Sequence, residues 1–199
     1  MFGGAARKIK GQVKLDNTTI TLNKCNVKRV LKAVPTSTNY ACCIFTTCVK
    51  GQEDMFPPEV RRYGGMTAEF KATSQHIPVE LLKKISFRLE GHWTPDSKEE
   101  NEKIFVAEKA TEILPETESE VCKFLMRNCS SLGKTMASHI VERFGMNTLD
   151  VCAHHCKQLL DIPRIDDKVI ATLNDACLSA LVRADVLKLL QGVDISPST

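Results

Sequence analysis

The sequence predicts an α+β fold in which a strand-rich first part is followed by an all-α second part. Near Pro115 the spacing of apolar residues changes from the alternation of strands to the three- and four-residue spacing of helices. Upstream of this point, short apolar runs follow one another with few helical connections, which favours antiparallel pairing. Downstream, a helix-turn-helix pattern occurs twice. We therefore expect a small β-domain followed by a helical domain.

Short apolar runs bounded by turn residues predict the strands of the first part. An Asp16-Asn17 turn joins the first two runs, and Pro35-Thr36-Ser37 ends the third. Strands of this length and spacing favour a small barrel or sandwich, and we predict a small antiparallel OB-type β-barrel over residues 26–115. Residues 1–25 are predicted to form a basic N-terminal extension. The predicted strands cover residues 12–15, 18–22, 27–34, 40–48, 66–73, 85–93 and 104–113.

The helices of the second part are predicted from caps and apolar stripes over residues 116–191. Thr117 and Glu120 form a capping box for the first helix. Asn147 is placed to cap a short third helix, and Asp166 or Asp167 begins the last one. Two helix-turn-helix units of this kind predict an all-α tandem helix-hairpin-helix domain. Apolar residues on the second and last helices are Ala137, Ile140, Val141, Phe144, Val169, Ile170, Leu173, Cys177, Ala180 and Leu181.

The turn before the second predicted helix is the leading candidate for a binding site. In a helix-hairpin-helix, a tight turn aims the free backbone N–H groups of a helix start at an anion, usually a nucleic-acid phosphate. The candidate DNA-binding residues of the first turn are Ser131, Gly133, Lys134 and Thr135. Such contacts would bind the DNA backbone without reading bases.

The second turn, at residues 162–165, adds Arg164 and Lys168 as candidate DNA-binding residues. Asp166 lies beside them, and its carboxylate would repel an anion. We therefore expect the second helix-turn-helix unit to be mainly structural.

The order Gly133-Lys134-Thr135 also looks like the end of an ATP-binding P-loop. That motif requires a glycine five positions before Gly133, where this sequence has Asn128, and a preceding strand, where residues 121–129 predict a helix. We expect no ATP hydrolysis, no bound cofactor and no enzymatic activity from this chain.

Composition narrows the class of protein further. The chain has 199 residues, of which 43% are hydrophobic, so it can bury one or two cores. It contains no apolar run long enough to span a membrane, and we expect a soluble cytoplasmic protein with nine reduced cysteines.

The net charge of +3 is too small to identify a nucleic-acid-binding protein. The first 32 residues carry eight basic side chains, and Asp16 is their only acidic residue. These basic residues form either a solvated surface or tail, or a patch that contacts phosphates.

Two further groups of residues are predicted to be structural. Cys152, His154, His155 and Cys156 lie near one helix without a second ligand pair at zinc-finger spacing, so we expect no metal site. Trp93 is expected in the core or at the barrel end, because most aromatic side chains of a small barrel are buried. The barrel is then a docking or spacer domain.

Taken together, the motifs of residues 121–173 resemble the N-terminal region of stand-alone bacterial RecD-like DNA helicases. The likeness lies in the order of a glycine turn, Ala137 in the next helix, the strings ERFG and TLDV, and a leucine-rich step into a second turn. Upstream, Gly91-His92-Trp93 and residues 103–108 are similar to the closing strands of the family's OB-type domain. The resemblance extends over about residues 27–190.

The resemblance implies a non-catalytic region that binds DNA phosphates without sequence preference, in a protein of DNA repair and recombination. Residues 192–199 resemble the start of the family's next unit, and the motifs of the ATPase motor are absent, so either a helicase fragment or a stand-alone remnant is expected. Family hairpins carry two glycines each, whereas the corresponding pairs here are Ser131 and Gly133, and Arg164 and Asp166. The expected partners are DNA and the helicase motor or another repair protein, with no membrane. The alternative is a protein-interaction module that keeps the fold without binding DNA.

Overall fold

The computed structural model describes residues 19–34, 40–74, 79–97 and 102–192. The predicted strand at residues 12–15, the Asp16-Asn17 turn, the Pro35-Thr36-Ser37 break and residues 193–199 lie outside the described residues. Short 3₁₀ helices cover Glu53–Met55, Val79–Leu81, Gly145–Asn147 and Cys156–Asp161. The strands and α-helices are β1 Ile20–Val34, β2 Tyr40–Cys48, β3 Arg61–Tyr63, β4 Thr67–Ser74, β5 Ser86–Pro95, β6 Lys103–Ile113, α1 Glu118–Asn128, α2 Lys134–Phe144, α3 Thr148–His154 and α4 Asp167–Gly192.

Five of the strands close into an OB-like barrel, which confirms the α+β fold class. β1 pairs with β2 and β5, β2 pairs with β4, and β6 closes the barrel between β4 and β5. β3 adds a short hairpin at the edge of β4. The barrel is mixed, so the prediction of an antiparallel barrel is wrong at one pair: β4 and β6 run parallel, with Lys71 opposite Ile104. In the sequence, β5 follows β4 and precedes β6, and it runs opposite to both, so β4 and β6 have the same direction. Apolar alternation does not report strand direction.

The barrel begins earlier than the sequence predicts. β1 is continuous from residue 20 to residue 34, so residues 20–25 belong to the barrel and not to the basic extension. Two separate strands are predicted here because alternation breaks near Lys24. In the structure Lys24 has a φ of 53°, and the register of β1 against β5 shifts between Leu22 and Cys25. This bulge lets both Leu22 and Cys25 point into the core without ending the strand.

The barrel interior is aromatic. Phe45 and Phe105 are almost completely buried, and the ring centroids of Phe70 and Phe105 lie 6.2 Å apart. Trp93 packs against Phe105 with ring centroids 5.1 Å apart, and its Nε1 donates a hydrogen bond to the carbonyl of Met55 at 2.8 Å. The prediction that Trp93 is part of the barrel packing is confirmed.

The helical region packs beside the barrel. Thr117 caps α1 as predicted, accepting a hydrogen bond from the backbone N–H of Glu120 at 3.3 Å. Asn147 takes the N-cap position of α3 as predicted, but its side chain makes no cap hydrogen bond. The hydroxyl of the next residue, Thr148, donates to the carbonyl of Gly145 at 2.6 Å. Residues of both parts form one apolar cluster. None of the helices in the described ranges combines the length and apolarity that crossing a bilayer requires.

Candidate functional site: two helix-start turns

The first candidate turn connects α1 and α2. After Cys129, the backbone N–H of Leu132 donates to the carbonyl of Cys129 at 3.0 Å, and the Leu132 side chain is buried. Gly133 then takes the N-cap position of α2, and its carbonyl accepts from the N–H of Ala137 at 3.0 Å. The buried leucine anchors a turn whose other residues face solvent.

The second candidate turn repeats this backbone pattern before α4. The N–H of Ile165 donates to the carbonyl of Ile162 at 3.3 Å, and Ile165 is buried like Leu132. The carbonyl of Asp166 accepts from the N–H of Ile170 at 3.0 Å, as Gly133 does in the first turn. The two segments thus share these two hydrogen bonds and a buried apolar residue before the helix. Their backbones differ at one position, because Arg164 of the second turn has a positive φ and its counterpart Ser131 does not.

The two turns differ in what covers the helix start. The Oδ1 of Asp166 accepts a hydrogen bond from the backbone N–H of Val169 at 2.8 Å, so a carboxylate already occupies the start of α4. Gly133 has no side chain to cap α2, and a β-carbon added to it would meet nothing within 4 Å. The start of α2 is therefore open to an external acceptor, whereas the start of α4 is closed by its own aspartate.

The structure places the predicted binding residues in two separate groups. Ser131, Gly133, Lys134 and Thr135 are all exposed around the first turn. Arg164 and Lys168 are exposed at the second turn. The φ of Arg164 is 69°, a left-handed conformation that glycine adopts at less cost. The second turn thus keeps a backbone shape suited to glycine without the glycine.

A helix precedes Gly133, as predicted. α1 occupies residues 118–128, where a P-loop would need a strand, and Asn128 donates hydrogen bonds to the carbonyls of Phe124 and Lys84 at 2.9 and 3.1 Å. Asn128 therefore fixes the end of α1 against the barrel.

The cysteine and histidine residues singled out in the sequence are dispersed by the fold. Cys152 is fully buried, whereas His154 is exposed, and its Nδ1 lies 3.0 Å from the Oδ1 of Asp150. Within the described part of the chain, His, Cys, Asp and Glu form no group of three or more arranged to hold a metal ion.

Two cysteines of the barrel are buried as neutral thiols. Burial raises the pKa of the Cys25 thiol and raises that of Cys43 to about 11, so both thiols are neutral at physiological pH.

An ion-pair cluster joins the barrel to the start of α1. The Nζ of Lys24 lies 2.8 Å from Glu120 Oε1 and 3.0 Å from Glu116 Oε2. Hydrogen bonds to Glu120 and Glu116 raise the pKa of Lys24. Burial opposes the charge of Glu120, but hydrogen bonds from Lys24 and from the backbone N–H of Glu116 hold the pKa of its carboxyl below the usual range.

We expect this cluster to lose its contribution to stability in acid. A carboxyl whose pKa is lower in the folded protein stabilises it above the unfolded pKa, near 4.5 for Glu120, and ceases to do so as the pH falls through the folded value. Lys24→Met should therefore lower the free energy of unfolding by up to about 1 kcal/mol at pH 7 and by less at about pH 3. Urea unfolding across this pH range checks the result. An equal cost at both pH values would show that the charge of Glu120 is not involved.

Sequence reasoning missed one cation near the first turn. Arg127 lies on the last turn of α1, and its Nη1 donates to the Oδ1 of Asn26 at 2.8 Å and to the Oγ of Ser86 at 3.4 Å. These partners come from β1 and β5, so only the folded chain brings them together. Its position in the helical pattern identifies Arg127 only as a polar residue.

Comparisons of the chain with protein-family models, curated proteins and solved structures gave no match. The likeness to RecD-like helicases accordingly rests on the sequence motifs alone.

Proposed function

We propose that this chain binds DNA through the phosphate backbone, without sequence preference and without catalysis, at the turn before α2. In this proposal α1 and α2, and the second turn with α4, are a tandem helix-hairpin-helix pair of the kind that precedes the motor of a RecD-like helicase. Ser131, Gly133, Lys134 and Thr135 form the primary contact. Arg164 and Lys168 contribute less.

The observation that carries the proposal is the open start of α2. The first N–H groups of a helix have no partner within the helix, and a capping side chain, water or an anion must satisfy them. Because Gly133 supplies no cap and leaves the approach open, a phosphate oxygen can reach these donors. The first turn of α2 also contains no acidic residue, so nothing on it repels the anion, while Lys134 adds a positive charge.

The second turn provides an internal comparison. Asp166 satisfies the donor at Val169 and places a negative charge where a phosphate would bind. Replacing Gly133 by aspartate, the residue at the corresponding position of the second turn, should therefore weaken binding. Because aspartate is also a favourable N-cap, the conversion should not weaken the fold.

The test is fluorescence anisotropy at low salt with two unrelated DNA sequences. We expect both sequences to bind the parent equally. Gly133→Asp should weaken binding about tenfold or more, because a charge-assisted hydrogen bond to phosphate is lost and a repulsion is added. Gly133→Asn caps equally well without charge, so it should weaken binding less than Gly133→Asp does. Lys134→Ala should cost a few-fold and reduce the salt dependence by about one phosphate contact.

Controls separate binding from folding. Circular dichroism and thermal unfolding should show that Gly133→Asp is as stable as the parent, since the φ of Gly133 is −74° and non-glycine residues adopt it readily. Arg164→Ala should change binding little. If folded Gly133→Asp binds like the parent while Arg164→Ala abolishes binding, the second turn is the DNA contact. If the parent binds neither DNA, the protein-interaction alternative replaces the proposal.

A further inference from the structure

A cavity of about 380 Å³ lies between α1 and the wall of the barrel. Helix α1 contributes Lys123, Phe124 and Arg127 to its lining, and the barrel contributes Asn26, Thr67 and Ser86 among others. Its volume is within the range of small-molecule sites, about 300–1,000 Å³. The cavity is thus large enough for a small organic ligand.

Arg127 contributes a cation whose partners are all neutral. Its Nη1 bonds to Asn26 and Ser86, while its Nη2 and Nε make no hydrogen bond or ion pair within the described ranges. Burial alone lowers the pKa of Arg127, yet an arginine stays charged at physiological pH. Its remaining N–H groups are free to donate to a ligand.

Other charges at the cavity leave this cation uncompensated. Glu120 also lines the cavity, but it pairs with Lys24, which Glu116 also contacts. Lys123 lies one helical turn before Arg127, lines the same cavity and forms no ion pair with the described residues. A guanidinium and an ammonium group therefore face one cavity, and neither has an acidic partner of its own among the residues that the structure describes.

We propose that this cavity binds a phosphate monoester, with Arg127 and Lys123 holding the phosphate. A guanidinium and an ammonium supply donors from two directions, which suits a tetrahedral dianion with several acceptor oxygens. Thr67 lies in the same lining, and Phe124 and Leu114 offer an apolar wall to the organic part of the ligand. The Ser86 hydroxyl holds Arg127 in place, because it donates to Asn26 Oδ1 at 2.7 Å and accepts from Arg127. The ligand is either a free nucleoside monophosphate or the phosphorylated end of a DNA strand.

This site does not depend on the DNA contact proposed before α2. Its donors are side chains facing the barrel, whereas the donors of the first turn are backbone N–H groups at the start of α2. Loss of one site therefore leaves the other intact. Gly133→Asp should affect DNA anisotropy and leave nucleotide binding unchanged.

Isothermal titration calorimetry of the full chain with deoxyadenosine monophosphate, inorganic phosphate and deoxyadenosine tests the proposal. The first two should bind, and deoxyadenosine should not, because it lacks the phosphate. Arg127→Gln should weaken nucleotide binding about tenfold, and Lys123→Gln a few-fold, as expected for lost charge-assisted hydrogen bonds. The matched control is Lys157→Gln, which removes one exposed positive charge outside the cavity and should change nothing.

Two further measurements make the outcome decisive. Because Arg127→Gln also removes contacts between α1 and the barrel, Lys123→Glu tests the charge at a residue without such contacts and should nearly abolish binding. A 5′-phosphorylated oligonucleotide compared with its 5′-hydroxyl form identifies the source: preference for the phosphorylated form supports a DNA end, and binding of the monophosphate alone supports a free nucleotide. The proposal is overturned if no phosphate-dependent binding occurs with either, or if Lys123→Glu binds like the parent.

Discussion

Arg183→Met should lower the free energy of unfolding by about 3 kcal/mol, because it leaves a buried carboxylate without its partner. The Nε and Nη2 of Arg183, on α4, donate to Glu112 Oε2 and Oε1 at 2.7 and 3.1 Å. The Glu112 side chain is only 7% exposed. This two-point bond joins the last strand of the barrel to the longest helix. Urea unfolding, monitored by circular dichroism, measures the loss.

A second ion pair supplies the control for this prediction. The Nη2 of Arg143 lies 3.0 Å from Asp161 Oδ2, but both side chains are exposed, so Arg143→Met should cost less than about 1 kcal/mol. Adding Glu112→Leu to Arg183→Met should recover most of the stability, since an apolar pair avoids the buried charge. Equal losses for Arg143→Met and Arg183→Met would contradict the assignment of Glu112 as a buried anchor.

Gly91→Ala should destabilise the barrel by about 3 kcal/mol, at the upper end of overpacking costs. A β-carbon on Gly91 would lie 2.0 Å from the carbonyl oxygen and 2.9 Å from the carbonyl carbon of Val106. The contact is with backbone, so no side-chain rotation relieves it. The register of β5 against β6 shifts between Glu90 and Gly91, and this irregularity brings the two strands together. Thermal or urea unfolding measures the effect.

Gly133→Ala is the matched comparison, because the same added methyl group meets nothing within 4 Å there. It should cost less than about 1 kcal/mol, the range of an exposed N-cap change. If Gly91→Ala proves as mild as Gly133→Ala, β5 and β6 are further apart than described.

The candidate binding turn was largely predictable because its features are local. Four residues around Gly133 and the helix after them follow from turn and helix spacing alone, and the structure places all four on one exposed turn. The difference between the turns was visible too, since Asp166 stands where the first turn has Gly133. What the pattern did not show is that Arg164 adopts a φ of 69°. A non-glycine residue in that conformation is stabilised by its surroundings and not by its own preference.

The cavity beside α1 was not predictable, because the residues that form it are not local in the sequence. Arg127, Asn26 and Ser86 are distant in the chain and meet only when α1 packs on the barrel. Their charges and hydrogen bonds have no signature in spacing along the sequence. The same holds for the pair of Glu112 and Arg183.

Sequence patterns alone predict the change from strands to helices near Pro115, the positions of most strands and the helix starts, because these follow from the period of apolar residues and from local caps. In contrast, the continuation of β1 through Lys24 and the parallel pairing of β6 with β4 emerge only in the folded protein. The physical reason is that a bulge and a strand direction are set by which neighbours complete the hydrogen bonds of the barrel. That choice depends on contacts between residues far apart in the chain.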